Sequence, residues 1–411
     1  MGSNTLEELK AVVEAAIKST ERTKRAKNIA SDLELVDKTI NPKDLRFFRI
    51  VEKLKEEGLL EGEIERVKDK YLGEIGSFAE ELDDRVWEML TTIELFDEET
   101  ANHCVETFTL AKDKIDNPLF NGVVLVDEFK NENVSRKQFL ISCLLHDVGK
   151  IEVPHSVVVN KTTDAECANI LFNNKDILVA SLRNELQDET YLLPENISNG
   201  EKLLTFLHDE LHLRPQMLCP VRILLGDLSD EEMEEVKGQL SHIGCSPDDN
   251  LLKIMRTHDK YSEEILKSLD MPIEAYISGS HHHSKGRSPK YRIAVGTLQV
   301  SVDLSDIIHL ADVQNAILSA RYYKSDKTPL EALKILAIHA KNGLVDTYFA
   351  YIWIADELYR NKDSLSNLEG EERMNFDFVT NFLNEQLDRH LAYPRWEAKV
   401  MGTSSANFSL G

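Results

Sequence analysis

Apolar residues recur three and four positions apart, with charges between them, in "TLEELKAVVEAAIKS", "LRFFRIVEKLKEEGLLEGEIERVKDKYL" and "RVWEMLTTIELF". That spacing gathers the apolar side chains on one face of an α-helix, and it predicts helix along most of the chain. Glycine and proline, which interrupt helices, number only 18 and 11 in 411 residues. Period-two alternation is rare. Residues 291–304, "YRIAVGTLQVSVDL", alternate enough for a short strand or hairpin, and "NGVVLVDEF" offers another. The predicted class is therefore all-α with minor β decoration. Turn formers gather in "NKTTDAE", "LPENISNGEK", "GCSPDDN", "GSHHHSKGRSPK" and the tail "MGTSSANFSLG". The acidic stretch "DLSDEEMEEVKGQL" predicts a solvated helix capped near Ser229 or Asp227.

Composition narrows the functions open to such a chain. A hydrophobic fraction of 42% over 411 residues suffices for at least one sizeable core and for two or three domains. A net charge of -24 opposes a duplex nucleic acid or an anionic membrane as partner. It is compatible with a small anionic substrate where bound divalent cations reverse the field locally. No apolar run reaches the roughly 18 residues of a membrane span, and "MGSNTLEELK" lacks the basic start and apolar core of a signal peptide. The expected location is the cytoplasm. Cys104, Cys143, Cys167, Cys219 and Cys245 are odd in number and form no C-x-x-C pair, so they are expected as reduced packing thiols.

The histidines carry most of the chemistry. A lone histidine is ordinarily a surface or core residue, so the test is whether several fall where one site could collect them. Glu99 and His103 stand four apart on one helix face, which suits two ligands or an exposed pair. His146 and Asp147 close the apolar run "QFLISCLLHDVGK", where an imidazole and a carboxylate are costly without partners. His258 lies on the amphipathic "NLLKIMRTHDKYSEEILKSL", and His281, His282 and His283 end the helix that starts near Pro272. Asp312 sits among apolar neighbours in "IIHLADVQNAILSARYY". A further pair, His208 and His212 in "HDELH", has the spacing of the zinc protease signature but an aspartate in place of its glutamate. It is read as ordinary helix.

The order Glu/His, His-Asp, His, His-His, Asp resembles the HD superfamily of metal-dependent phosphohydrolases, and within it the HD-GYP cyclic dinucleotide phosphodiesterases. The resemblance covers roughly residues 85 to 165 and 246 to 345. "HDVGKIEVPHSVV" is similar to the family's His-Asp-x-Gly-Lys-x-x-x-Pro signature through His146, Asp147, Gly149, Lys150 and Pro154. "MRTHDKYSEEIL" looks like its downstream histidine helix, with His258 as a ligand, and "LADVQNAILSARYYKSDKTPLEAL" like its closing helix, with Asp312 as the last one. There are departures. The chain has "HHHSKGRSPKY" where the family has His-His-Glu and a Gly-Tyr-Pro loop. Counting back from Asp312 selects His281 and His282 as the ligand pair, whereas counting forward from His258 selects His282 and His283. Lys150 and His258 stand 108 positions apart, which implies an insertion over about 165–246.

The resemblance implies an HD-domain helical bundle over 85–345, preceded by a helical domain over 1–84 with a regulatory or dimerising role and followed by helices and a tail over 346–411. It implies Glu99, His103, His146, Asp147, His258, His281, His282 and Asp312 as metal ligands, and Lys150, Arg321 and Lys324 as substrate contacts. So many imidazoles and carboxylates, without a thiolate, are too many for one ion and suit iron, manganese or zinc better than a structural zinc site, with iron or manganese expected. Two ions bridged by Asp147 are expected, with a third through Glu99. The implied activity is hydrolysis of a cyclic dinucleotide, cyclic di-GMP or a relative, by a metal-bridging hydroxide, with Asp147 and Lys150 as catalytic residues. A nucleotidase or other phosphomonoester hydrolase is the alternative on the same site. A catalytically silent nucleotide-binding signalling protein is another, and a homodimer is the expected assembly.

Overall fold

The computed structural model of the protein describes residues 44–116, 134–160, 162–211, 213–282, 290–295, 298–318, 328–365 and 368–390. Its helices of seven residues or more run in the order α1 (Arg46–Glu56), α2 (Leu60–Ile75), α3 (Asp84–Phe96), α4 (Glu98–Asp116), α5 (Arg136–Leu144), α6 (Asp164–Asn173), α7 (Lys175–Leu186), α8 (Asp230–His242), α9 (Thr257–Ser268), α10 (Pro272–Ser278), α11 (Ser305–Leu318), α12 (Pro329–Lys341), α13 (Thr347–Arg360) and α14 (Gly370–His390). One antiparallel hairpin, β1 (Lys290–Val295) and β2 (Leu298–Asp303), interrupts them, in register from Lys290↔Asp303 to Val295↔Leu298. The all-α class with minor β decoration holds. The hairpin falls where residues 291–304 alternate, while "NGVVLVDEF" lies outside the described residues. Among the described residues no helix is long and apolar enough to cross a membrane.

Local chemistry starts these helices. Ser135, Thr163, Ser229 and Thr328 each accept the backbone N–H of a Gln or Glu three residues on, whose side chain returns the bond to the cap's own N–H. Each such capping box satisfies two helix-end donors. Ser229, not Asp227, therefore caps the acidic helix α8. Pro329 then occupies the first turn of α12, where its missing N–H costs nothing.

A single apolar core joins α1 to α5, α8 to α11 and α12 to α14, with Phe47, Phe78, Phe108, Phe139, Trp353 and Phe382 fully buried in it. Helices α1 and α2, which lie within the expected 1–84 unit, share this core. Lys114 of α4 is fully buried under the Trp353 ring and paired with Asp356 and Glu357, which ties α4 to α13. Removing either side of such a pair leaves a buried charge uncompensated, so the contact fixes how the helices meet. A second, smaller core, from Cys167 to Cys219, packs α6 and α7 around Leu171, Leu178, Leu182 and Leu203. The expected insertion is thus two things in packing terms, since Val221, Val236 and Leu240 belong to the main core. Four of the five cysteines are buried and all are free thiols.

Candidate metal centre

Five helices deliver the site. His103 stands on α4, one turn inward of its start, and Asp312 on α11 meets it, with His103 Nε2 2.7 Å from Asp312 Oδ1. His146 and Asp147 follow the end of α5, where Leu145 closes the last helical turn and residues 148–152 wind into a 3₁₀ turn. His258 and Asp259 open α9, and His281 and His282 follow α10. His103, His146, Asp147, His258, Asp259, His281 and Asp312 are all buried, while the His282 side chain is 29% exposed at the rim.

Gly149 lets the turn after Asp147 lie directly on α9. A Cβ there would fall 2.0 Å from the His258 carbonyl oxygen and 2.4 Å from the Ser262 nitrogen, so only glycine fits this approach. Ser262, one turn beyond His258, completes the joint. Its hydroxyl donates to the His146 carbonyl at 2.7 Å and accepts from the Gly149 N–H at 2.9 Å. Ser278 of α10 donates to the Ser142 carbonyl in the same way, at 3.1 Å.

These contacts bring the donor atoms together in three overlapping groups. His103, His146 and Asp312 form one, and His258, Asp259, His281 and His282 another, each with all its donor atoms within 4.8 Å of one another. The third, His146, Asp147 and His281, shares one member with each of the others. Asp147 therefore stands between two sets of ligands. Its Oδ2 faces His146 at 3.4 Å and His103 at 3.7 Å, whereas its Oδ1 faces His258 at 3.0 Å and His281 at 4.0 Å. Lys150 Nζ donates to Oδ2 at 2.6 Å.

The rings are braced from behind. His146 Nδ1 donates to the Cys143 carbonyl at 2.8 Å, and His258 and His281 do the same to Met255 and Ser278, in every case the residue three positions earlier. This brace turns Nε2 inward, the usual arrangement for a ligand histidine. The His281 carbonyl is held in turn by His309 Nδ1 at 2.7 Å, and His309 Nε2 meets His339 Nδ1 at 2.9 Å.

Protonation follows the same plan. Burial pushes the Asp147 carboxyl up, but Lys150, His146 and His258 outweigh it and hold the group well below the usual carboxylate range. Burial likewise opposes ionisation of Asp312, and the His103 hydrogen bond reverses it. Burial and the neighbouring His282 push His281 down, which keeps its ring neutral. Against burial, Asp259 and Asp147 push His258 up to about 10, so a proton sits between those carboxylates. A metal needs ionised carboxylates and neutral imidazoles, so its binding would displace the His258 proton, while His146 Nε2 is already a buried nitrogen with no hydrogen-bond partner. The donor set fits a transition metal.

Of the expected ligands, the structure gathers His103, His146, Asp147, His258, His281, His282 and Asp312. Glu99 is a correction. It lies exposed in the first turn of α4 and joins none of the three groups, because the helix reaches the cluster only from its second turn. His283, Arg321, Lys324 and His212 lie outside the described residues, while His208 is exposed, far from the cluster in sequence and paired with Asp164 at 3.7 Å. Sequence reasoning missed Asp259, although it forms a third His-Asp dipeptide after those at 146–147 and 208–209, and it missed Ser262 and Asn315, whose amide stands 2.9 Å from His103 Nδ1. No family model, curated protein or solved structure matches this chain.

Proposed function

We propose that the chain is a metal-dependent phosphohydrolase that cleaves a cyclic dinucleotide, cyclic di-GMP or a relative, using iron or manganese. The observation that carries this reading is the division of Asp147, one oxygen toward His103 and His146 and the other toward His258 and His281. A carboxylate set this way suits a pair of cations, His103, His146 and Asp312 holding one while His258, His281 and His282 hold the other. Bound there, such a pair would lower the pKa of a water and polarise a phosphoryl oxygen.

The chain's own residues would do the rest. Lys150, on the Oδ2 side of Asp147, is positioned to stabilise charge developing on the phosphoryl oxygens or the leaving oxygen. Burial of the cluster strengthens that interaction by excluding bulk water. His282, at the rim, marks the side from which substrate would approach. The phosphodiester preference rests on the resemblance of "HDVGKIEVPHSVV" and its companion motifs, whereas the altered "HHHSKGRSPKY" favours the nucleotidase reading.

The test is to purify the protein without chelator, quantify bound iron, manganese and zinc, and assay cyclic dinucleotides beside mononucleotides and a generic phosphodiester. Turnover of the cyclic compounds, lost in Asp147→Ala, is expected. Turnover confined to monoesters would replace the substrate assignment, and tight binding without turnover would make the chain a receptor.

A further inference from the structure

We infer that Asp259 is itself a metal ligand, so that the cluster comprises two unequal cation sites, one of which holds three imidazoles and a carboxylate of its own. This rests on the metal-binding reading above and extends it to a residue that the HD resemblance does not supply.

Asp259 is 1% exposed and opens α9 immediately after His258. Its Oδ1 lies 3.0 Å from His258 Nε2 and 3.7 Å from His281 Nε2, and those atoms together with a His282 ring nitrogen fall within 4.8 Å of one another. A carboxylate placed only to orient a ligand histidine would meet Nδ1 from behind. Here the Nδ1 atoms of His258 and His281 are already engaged by the Met255 and Ser278 carbonyls, and Asp259 faces the Nε2 side, where a cation would sit.

Charge points the same way. Once a metal displaces the His258 proton, the cluster buries three carboxylates, Asp147, Asp259 and Asp312, against one lysine, Lys150. Buried carboxylates in that excess need further positive charge. One divalent ion would neutralise the remainder, and a second would leave a net positive pocket able to attract a hydroxide and an anionic phosphodiester.

The two sites would then differ in how many positions they leave open. The Asp259 side offers four terminal donors besides the shared Asp147, and the other side offers three, from His103, His146 and Asp312. A six-coordinate ion on the Asp259 side would keep about one free position, and its neighbour about two. The more open site is the one beside Lys150, which bonds the Oδ2 that faces it. Substrate phosphate is therefore assigned to the His103 side, and the Asp259 side anchors the second ion.

The test compares full-length wild type with Asp259→Asn, which keeps the shape of the side chain, and with Asp259→Ala. Each is stripped of metal, titrated with Mn²⁺ alone and measured for bound metal and for its paramagnetic resonance spectrum. Wild type should take up two ions with an exchange-coupled signal. Both variants should lose affinity for one ion by at least about 100-fold, the upper end of outer-shell effects, and show an isolated-ion signal, with their circular dichroism unchanged. Two ions bound in Asp259→Asn with wild-type affinity and coupling would overturn the assignment while leaving the metal centre intact. Wild type that binds no Mn²⁺ would remove the metal reading and this one together. Should Asp259→Ala not fold, Asp259→Asn and the wild-type spectrum still decide.

Discussion

The two halves of the cluster are assembled by opposite means. His258, Asp259, His281 and His282 lie within 25 positions, and His258 and His281 are braced by the carbonyl three residues earlier in their own segments. His103 and Asp312 are 209 positions apart, and His103 is braced by the Asn315 side chain, 2.9 Å from its Nδ1. The difference has a chemical consequence. A backbone carbonyl only accepts, so it keeps the proton on Nδ1 and directs Nε2 inward. The Asn315 Nδ2 donates to His103 Nδ1, which leaves the His103 proton on Nε2, facing Asp312. For His103 to serve as a ligand, the Asn315 amide must turn its oxygen to Nδ1. One half is fixed by helix geometry, and the other, although His146 has the same backbone brace, depends at His103 on a side chain that can rotate.

Asp147 belongs to both halves, so its loss should break the comparison outright. In Asp147→Ala, phosphodiester turnover should fall about 10³-fold or more, equivalent to roughly 4 kcal/mol of transition-state stabilisation. Metal analysis should show less than one ion per chain. Retention of two ions would mean that the halves are independent sites without a common bridge.

Gly149→Ala strikes the joint between the halves. The added methyl would meet the His258 carbonyl at 2.0 Å and the Ser262 nitrogen at 2.4 Å, both backbone atoms that cannot swing aside. The turn or α9 must move, at about 3 kcal/mol, the upper end of overpacking costs. Denaturant unfolding measures this, and metal affinity should drop on both sides. A variant of wild-type stability would mean that the turn is loosely seated.

How much of this was readable beforehand follows from the same contrast. His146 with Asp147 and His281 with His282 were visible because neighbours in sequence arrive together. The helices were visible because apolar spacing and S/T-x-x-E/Q caps are local properties, as at Ser229 and Glu232. Glu99 misled because spacing of four reports a shared face but not which turn of α4 enters the core. Asp259 stayed hidden because "THDK" reads no differently from the exposed His208–Asp209 pair in "LHDE". Asn315 could not be found at all, since an amide bracing a ring 212 positions away leaves no local trace. The second core around Leu171 was equally unreadable, because which apolar faces meet is decided only by the three-dimensional path.

Asn315→Ala should sharpen the comparison by loosening one half alone. Affinity for one ion should weaken about 10- to 100-fold, the usual effect of removing an outer-shell brace. The second ion, held by His258, Asp259, His281 and His282, should bind as before. Equal weakening of both ions in a metal titration would show that the brace of His103 is felt across Asp147.

The smallest effect is expected where a contact touches the turn but neither half. Glu152, buried at the end of the 3₁₀ turn, accepts the N–H groups of Arg46 and Phe47, each at 2.9 Å, and so caps α1 from a distance. Burial raises its pKa, and the Phe47 and Arg46 amides offset this only in part. A raised folded value means that the stability it contributes is complete below the unfolded pKa of roughly 4.3 and is lost as pH rises through the folded value. Glu152→Ala should therefore destabilise by about 1 kcal/mol, the ordinary worth of a helix cap, and by less at neutral pH than near pH 4. Metal content should not change, because the turn is joined to α9 through Ser262, which bonds the His146 carbonyl and the Gly149 N–H and not Glu152. A destabilisation that grows toward neutral pH would mean that the ionised carboxylate is the favoured cap and that the two amides outweigh its burial.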